Sequence, residues 1–116
     1  MKSAARMTVS WKVKAGEAGS IATALQTLMN RIHNERGCET CSVATELAAQ
    51  PRIDYVEEWA SELELQRHIR SDQFASLAEL MEHSIERPDV TFYLPSGTRG
   101  LDYAEEVRQS LKPPRR

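Results

Sequence analysis

One charged segment, EEWASELELQRHIRSDQF (residues 57–74), contains residue types that could carry out proton transfer. The imidazole of His68 has an unperturbed pKa of about 6.5, which suits a general base at neutral pH. Glu57 shares a predicted strand face with Trp59, so its carboxylate must either be paired, for example with an Arg, or keep its proton. The segment therefore predicts a proton-transfer site or, alternatively, a half-buried histidine and a structural ion pair.

Aromatic residues along the chain are candidates for the lining of such a site. Trp11 and Trp59 are large enough to fill a small core, and they could also contact a flat aromatic ligand. The hydroxyls of Tyr55 and Tyr93 could donate to a developing oxyanion. Phe74 follows the charged segment and is typical of a core position. These side chains predict an apolar pocket that is compatible with either packing or ligand binding.

The two cysteines, Cys38 and Cys41, form a CETC motif. A structural zinc site needs four ligands, and no second Cys/His pair stands at suitable spacing, so we expect no metal site. The surrounding Thr, Val and Ser residues indicate a strand, and side chains three apart in a regular strand point to opposite faces. We therefore predict inert packing cysteines in a reducing compartment.

Composition indicates an ordinary globular domain. The chain has 116 residues, 41% hydrophobic and 28% charged, with a net charge of -2. This charge gives no electrostatic reason to bind nucleic acid or an anionic membrane. No apolar run approaches the roughly 20 residues of a membrane span, and MKSAARM at the start has no hydrophobic stretch after its basic residues. We expect a cytoplasmic protein with no nucleic-acid or membrane partner.

Periodicity predicts the elements that position these residues. Strands are expected over residues 7–14, 38–47, 53–60 and 89–94. One helix is expected from a Ser20 N-cap to Gly37, and a second begins at Ser61, restarts at residues 71–72 and ends at Pro88. The order β-α-β-β-α-β is typical of an α+β, ferredoxin-like fold with a four-stranded antiparallel sheet and both helices on one face.

A C-terminal helix is predicted beyond this domain. Asp102 and Glu105 form a capping box, and Tyr103, Val107 and Leu111 form an apolar stripe. We therefore divide the chain into a lead over residues 1–6, the ferredoxin-like domain over 7–95 and an extension over 96–116. The stripe predicts that this helix docks on its own chain or on a partner.

The segment YVEEWASELELQRHIRSDQF resembles the signature of the antibiotic biosynthesis monooxygenase family, in which a strand ends in Glu-x-Trp and is followed by a His and by Ser-x-x-Phe. The matching residues are Glu57, Trp59, His68, Ser71 and Phe74. The segment RGCETCSVATE is similar to the second strand of that family. The order of elements agrees with the family over residues 7–94.

This resemblance implies a homodimer in which two sheets pack face to face into an α+β barrel, with a pocket between sheet and helices. It implies a cofactor-independent monooxygenase that acts on a small aromatic substrate of the quinol, phenol or anthrone type, without metal or flavin. His68 would be the catalytic base. The implied substrate-binding residues are Trp11, Tyr55, Glu57, Trp59, Phe74 and Tyr93.

Other activities occur among similar proteins and leave alternatives. The same base would serve a small-metabolite isomerase, and the same pocket would serve a non-catalytic, dimeric ligand-binding protein. Haem-degrading relatives rely on an Asn, a Trp and a His, where this chain has Val9, His68 and Ala78. Haem degradation is therefore not expected.

Overall fold

The chain alternates strands and helices in the predicted order and adds one strand near its end. The structure, a computed structural model, describes residues 4–46 and 48–110. Its elements are β1 (Ala5–Lys12), α1 (Ala15–His33), β2 (Cys38–Glu46), β3 (Arg52–Trp59), α2 (Glu62–Ile69), α3 (Asp72–Met81), β4 (Asp89–Leu94), β5 (Gly97–Arg99) and α4 (Leu101–Gln109).

The described strands form one antiparallel sheet in the order β2-β3-β1-β4-β5. The predicted α+β, ferredoxin-like fold is confirmed, but the sheet has five strands where four were predicted. The fifth strand arises because Leu94 pairs with Gly97 across a two-residue hairpin turn, and Gly97 supplies the positive φ of +131°. No strand was expected after residue 94.

One face of the sheet forms the core with the helices. The strand residues on this face include Val9, Trp11 and Tyr55, and α1 contributes to the same core a buried stripe that begins at Ile21 and ends at Ile32. At its centre the opposite face carries the short, half-buried side chains of Thr8, Ser10, Val56 and Thr91, while Arg6 and Tyr93 on the same face are exposed. No helix within the described residues is long and apolar enough to cross a membrane.

Two helix boundaries differ from the prediction. α1 begins at Ala15, ahead of Ser20, because Ala18 in its first turns packs against the core and offsets the cost of glycine in a helix. α3 ends at Met81, well before Pro88. Ile85, which was expected on the helix, lies beyond it, and its N–H donates to the carbonyl of Lys12 at 2.8 Å.

The C-terminal helix α4 packs on its own chain, which was one of the two predicted locations. Its capping box does not form: Gly100 is the N-cap, and Asp102 instead accepts a hydrogen bond from Arg99 at 3.1 Å. Tyr103 is buried against Phe92, and its hydroxyl donates to Glu62 at 2.7 Å. Two residues of the predicted elements, Leu47 and Leu111, lie outside the described residues.

The turn between α1 and β2 depends on Gly37, which has a φ of +91°. A Cβ at this position would lie 2.5 Å from the Cβ of Glu64. We expect Gly37→Ala to lower the free energy of unfolding by about 1–3 kcal/mol, because strain and steric overlap add. Gly19→Ala is the control. Its Cβ would meet no atom within 4 Å, so this substitution within α1 should raise the free energy of unfolding by about 0.5–1 kcal/mol. Urea unfolding measures both, and a Gly37→Ala protein as stable as wild type would contradict this turn.

Candidate functional site

Two helix caps position the central residues of the site above β3. The hydroxyl of Ser61, the predicted start of the helix, accepts from the N–H of Glu64 at 3.1 Å, and α2 then directs His68 inward. Ser71 caps α3 in the same way by accepting from the N–H of Phe74 at 3.3 Å. The restart between the two helices therefore brings the imidazole and the phenyl ring to one location.

His68 lies between two carboxylates in the interior. Its Nε2 is 3.0 Å from an oxygen of Glu57, and its Nδ1 is 3.0 Å from both oxygens of Glu35. Glu57 also accepts from the hydroxyl of Tyr55 at 2.6 Å and from the Nε1 of Trp59 at 3.0 Å. We call these five residues the Glu57 cluster. Each polar atom of the buried Glu57 and His68 side chains therefore has a partner, which is the condition for burying charge.

Aromatic rings enclose the imidazole. The ring of Trp59 stacks on His68 with centroids 4.7 Å apart and planes inclined by 25°. Phe74 meets the imidazole edge-on, at 5.8 Å and 89°. Both Glu57 and His68 have an exposed fraction of 0%. The stacked rings thus keep water from the Glu57–His68 contact, where electrostatic interactions are strong.

The surroundings of His68 favour its protonated form. Burial lowers the pKa of His68, but the charge of Glu57 and the hydrogen bonds that the ring donates to Glu35 and Glu57 together outweigh burial and raise the pKa to about 9. At neutral pH both ring nitrogens therefore donate, each to a carboxylate. A proton can leave His68 only toward one of these carboxylates, so the cluster handles protons as a unit.

The hydrogen-bonded cluster continues to a thiol on β2. The Sγ of Cys41 is 3.1 Å from the hydroxyl oxygen of Tyr55. Burial and then the charge of Glu57 raise the pKa of Tyr55 far above its usual value of 10, so the hydroxyl stays protonated. Burial likewise raises the pKa of Cys41 to about 11 and that of Cys38 to about 12. Both cysteines are free thiols.

The two cysteines share a face of the sheet, so the prediction that they point to opposite faces was wrong. A β-bulge shifts the register between Cys38 and Thr40. As a result Cys38 pairs with Trp59 and Cys41 with Glu57, both on the side that faces the helices. The extra residue of the bulge reverses the alternation that a regular strand would have.

The structure brings most of the predicted site residues together, namely Tyr55, Glu57, Trp59, His68 and Phe74. It separates two others from them. Trp11 pairs with Ile53, six residues along β3 from Trp59, which is about 20 Å. Its Nε1 has no hydrogen-bond partner within the described part of the chain. Tyr93 lies on the opposite face of the sheet, 39% exposed, beneath the guanidinium of Arg6.

Two residues of the site, Glu35 and Cys41, were not predicted. Glu35 stands just after α1, where the helix dipole disfavours an anion. An acidic residue at that position is a weak signal that a cation lies nearby, and here the cation is His68. The role of Cys41 depends on the bulge, for which the sequence offers no comparable signal.

One opening is lined by Glu35 of the cluster, and a second is lined by Cys41, the neighbour of Tyr55. The Glu35 recess has a volume of about 440 Å³ and is lined by Glu35, Arg36, Glu64, Arg67, Ser71 and Gln73. The α1–β2 groove has a volume of about 610 Å³ and is lined by Gln26, Met29, Asn30, His33, Asn34 and Cys41. The described residues contain no group of three or more His, Cys, Asp or Glu side chains arranged to hold a metal ion.

Solved structures share this fold. A conserved protein from Methanosarcina mazei Go1 is 27% identical, with a TM-score of 0.70 over 79% of this chain and 92% of that one. Protein SO0527 from Shewanella oneidensis is 18% identical, with a TM-score of 0.68 over 86% and 94% of the two chains. A structure described as an antibiotic biosynthesis monooxygenase is 15% identical, with a TM-score of 0.67 over 76% and 94%.

Sequence comparison gives one family. Residues 5–80 match the model of the family described as antibiotic biosynthesis monooxygenase. The search of curated proteins found no match to the chain. The match spans β1 to α3 and includes every member of the Glu57 cluster, which confirms the resemblance seen in the sequence.

Proposed function

The chain belongs to the antibiotic biosynthesis monooxygenase family, and from this premise we propose that it is a cofactor-independent monooxygenase acting on a small aromatic substrate of the quinol, phenol or anthrone type. The observation that carries the proposal is the position of His68 between Glu57 and Glu35. A buried cluster of titratable groups next to two openings is typical of a site that moves protons.

The proposed reaction begins with loss of a proton from the substrate. The resulting carbanion or phenolate transfers one electron to dioxygen, and the superoxide and the substrate radical combine to a peroxide. For an anthrone, the peroxide then loses water, so that one CH₂ group and one O₂ become one carbonyl group and one H₂O. The protein needs to supply a proton acceptor and a site that excludes water.

The Glu57 cluster can supply the proton acceptor. It combines two glutamate side chains with one histidine, so it contains one more proton-accepting side chain than a single glutamate–histidine pair would. The side chain of Glu35 is 17% exposed and lines a recess, so it can exchange a proton with solvent. His68 holds the two carboxylates in place and transfers protons between them. Trp59 and Phe74 keep water from this path.

The substitution His68→Gln tests the proposal. We expect oxygen-dependent turnover of 1,8-dihydroxyanthrone to fall by about 10²–10⁴-fold, since glutamine cannot carry the proton or the charge. An oxygen electrode with purified, metal-free protein measures the rate, and circular dichroism confirms that the variant is folded. His83→Gln, at an exposed histidine, is the control and should retain full turnover. Equal oxygen uptake by His68→Gln and wild type would show that His68 is not needed for the reaction and would contradict the proposed role of the cluster.

The cluster also supports a second function, because moving a proton does not itself require dioxygen. A small-metabolite isomerase would remove a proton from its substrate to form an enolate and would return the proton to another carbon of that enolate. Incubation in D₂O distinguishes the two functions: an isomerase incorporates deuterium into the substrate without consuming oxygen. A protein that binds the substrate and shows neither reaction would be the non-catalytic, dimeric ligand-binding protein.

We further propose that the chain forms a homodimer through the sheet face that points away from the helices. Thr8, Ser10, Val56 and Thr91 on this face are short and half-buried, so they leave a surface that a second sheet can approach. Light scattering at low micromolar concentration should give twice the chain mass of 13.1 kDa. A folded protein with the mass of one chain would contradict the dimer.

A further inference from the structure

The α1–β2 groove has a row of amide side chains along one side. Gln26 and Asn30 on α1 and the C-cap residue Asn34 are spaced four residues apart and therefore follow one another along one side of the helix. Within the described residues, the side-chain amides of Gln26 and Asn30 make no hydrogen bond, whereas the amide of Asn34 donates to the carbonyl of Asn30 at 3.0 Å. Two amides, each with donor and acceptor atoms, are thus available to a ligand.

The remaining lining of the groove consists of His33 and two polarizable, sulfur-containing side chains. Met29 packs partly against the core, and Cys41 lies across from it on β2. Sulfur atoms make favourable contacts with aromatic rings, and a volume of about 610 Å³ is within the range of small-molecule sites. The lining contains no Asp, Glu, Lys or Arg, so binding of an uncharged ligand would bury no carboxylate, ammonium or guanidinium group of the protein.

The groove also reaches the Glu57 cluster. Cys41 contacts Tyr55 at 3.1 Å, and Tyr55 contacts Glu57 at 2.6 Å. A ligand oxygen beside Cys41 would therefore lie close to the hydrogen-bonded chain that ends at His68. The Glu35 recess reaches the same cluster, but its lining includes Arg67 in an ion pair with Glu64 and offers an aromatic ring a charged, hydrated surface.

We infer that the α1–β2 groove is the binding site for the substrate: an uncharged, planar aromatic molecule whose hydroxyl or carbonyl oxygens hydrogen-bond to Gln26 and Asn30 and whose ring contacts Met29 and Cys41. The inference rests on the proposed function, since it locates the substrate of that reaction. It leaves the Glu35 recess as the opening through which the cluster exchanges protons with solvent.

Binding of 1,8-dihydroxyanthraquinone, which is not oxidised by the proposed reaction, tests the location. Quenching of tryptophan fluorescence gives the dissociation constant. The double variant Gln26→Ala/Asn30→Ala should bind about ten-fold more weakly, because it loses two hydrogen bonds while alanine favours the helix. Gln73→Ala, in the Glu35 recess, is the matched control and should bind like wild type. Weaker binding by Gln73→Ala alone, or no binding by wild type up to the solubility limit, would overturn the inference.

Alkylation provides an independent readout. Bound anthraquinone should slow the reaction of N-ethylmaleimide with Cys41 and leave the reaction of Cys38, which does not line the groove, unchanged. Mass spectrometry of peptides separates the two sites. If Cys41 is protected but wild type consumes no oxygen with the anthrone, the binding site is supported and the monooxygenase proposal is contradicted. If wild type and the double variant consume oxygen at the same rate, the monooxygenase proposal is supported and the α1–β2 groove is not the substrate site.

Discussion

Glu57→Leu is expected to lower the free energy of unfolding by about 3–5 kcal/mol. The substitution removes the one carboxylate that accepts hydrogen bonds from Tyr55, Trp59 and His68. Each of these donors is buried and would be left without its acceptor, which costs more than the hydrogen bond itself contributed. Glu57→Gln keeps an acceptor oxygen but loses the charge, so its stability should fall between those of wild type and Glu57→Leu.

Glu58→Leu is the matched control for this experiment. It makes the same chemical change one residue along β3, on the opposite face, where Glu58 accepts a hydrogen bond from Thr40 at 2.7 Å near the solvent. Glu58→Leu should therefore lower the free energy of unfolding by less than about 1 kcal/mol. Urea unfolding followed by the fluorescence of the two buried tryptophans measures all three variants. A Glu57→Leu protein no less stable than Glu58→Leu would show that Glu57 is dispensable to the core.

Stability should also fall as the pH rises above neutrality. The pKa of His68 is about 9 in the folded chain against a usual value of 6.5. Between these values the folded state holds a proton that the unfolded state has released, so raising the pH favours unfolding. The contribution is complete below pH 6.5 and is lost as the pH passes through about 9, a total on the order of 3 kcal/mol.

The variant His68→Gln provides the control for the pH series. Urea unfolding between pH 6.5 and 8.5 should show a steady decline for wild type and a flatter profile for the variant. This window stays below the region in which Cys38 and Cys41, whose pKa values are raised to about 12 and 11, add a decline of the same sign. Identical slopes for the two proteins would contradict the raised pKa of His68.

The parts of the fold that were predictable are those set by local periodicity. Alternation identified β1 and also β3, which carries Tyr55, Glu57 and Trp59, and Ser61 marked the start of α2 through its own side chain. β5 was missed because three residues are too few for alternation to be seen. The start of α1 was misplaced because Ala18 packs against distant residues, a stabilisation that local propensity does not include.

The site was predictable only in part, for a related reason. Glu57, Trp59 and His68 lie within twelve positions of one another, so strand and helix periods suffice to place them together. Glu35 reaches His68 across 33 residues of chain, and that contact depends on how α1 ends and how α2 packs. Trp11 and Tyr93 were assigned by residue type alone, and type does not say which end or which face of a sheet a side chain occupies.

The bulge near the start of β2 has a consequence for solubility. β2 is an edge of the sheet, and a long, regular edge offers a row of unpaired N–H and C=O groups to which another chain can add as a strand. The irregularity between Cys38 and Thr40 interrupts that row and increases the local twist. The same inserted residue that turns both thiols inward thus shortens the template available for intermolecular strand pairing, and we expect it to disfavour aggregation through this edge.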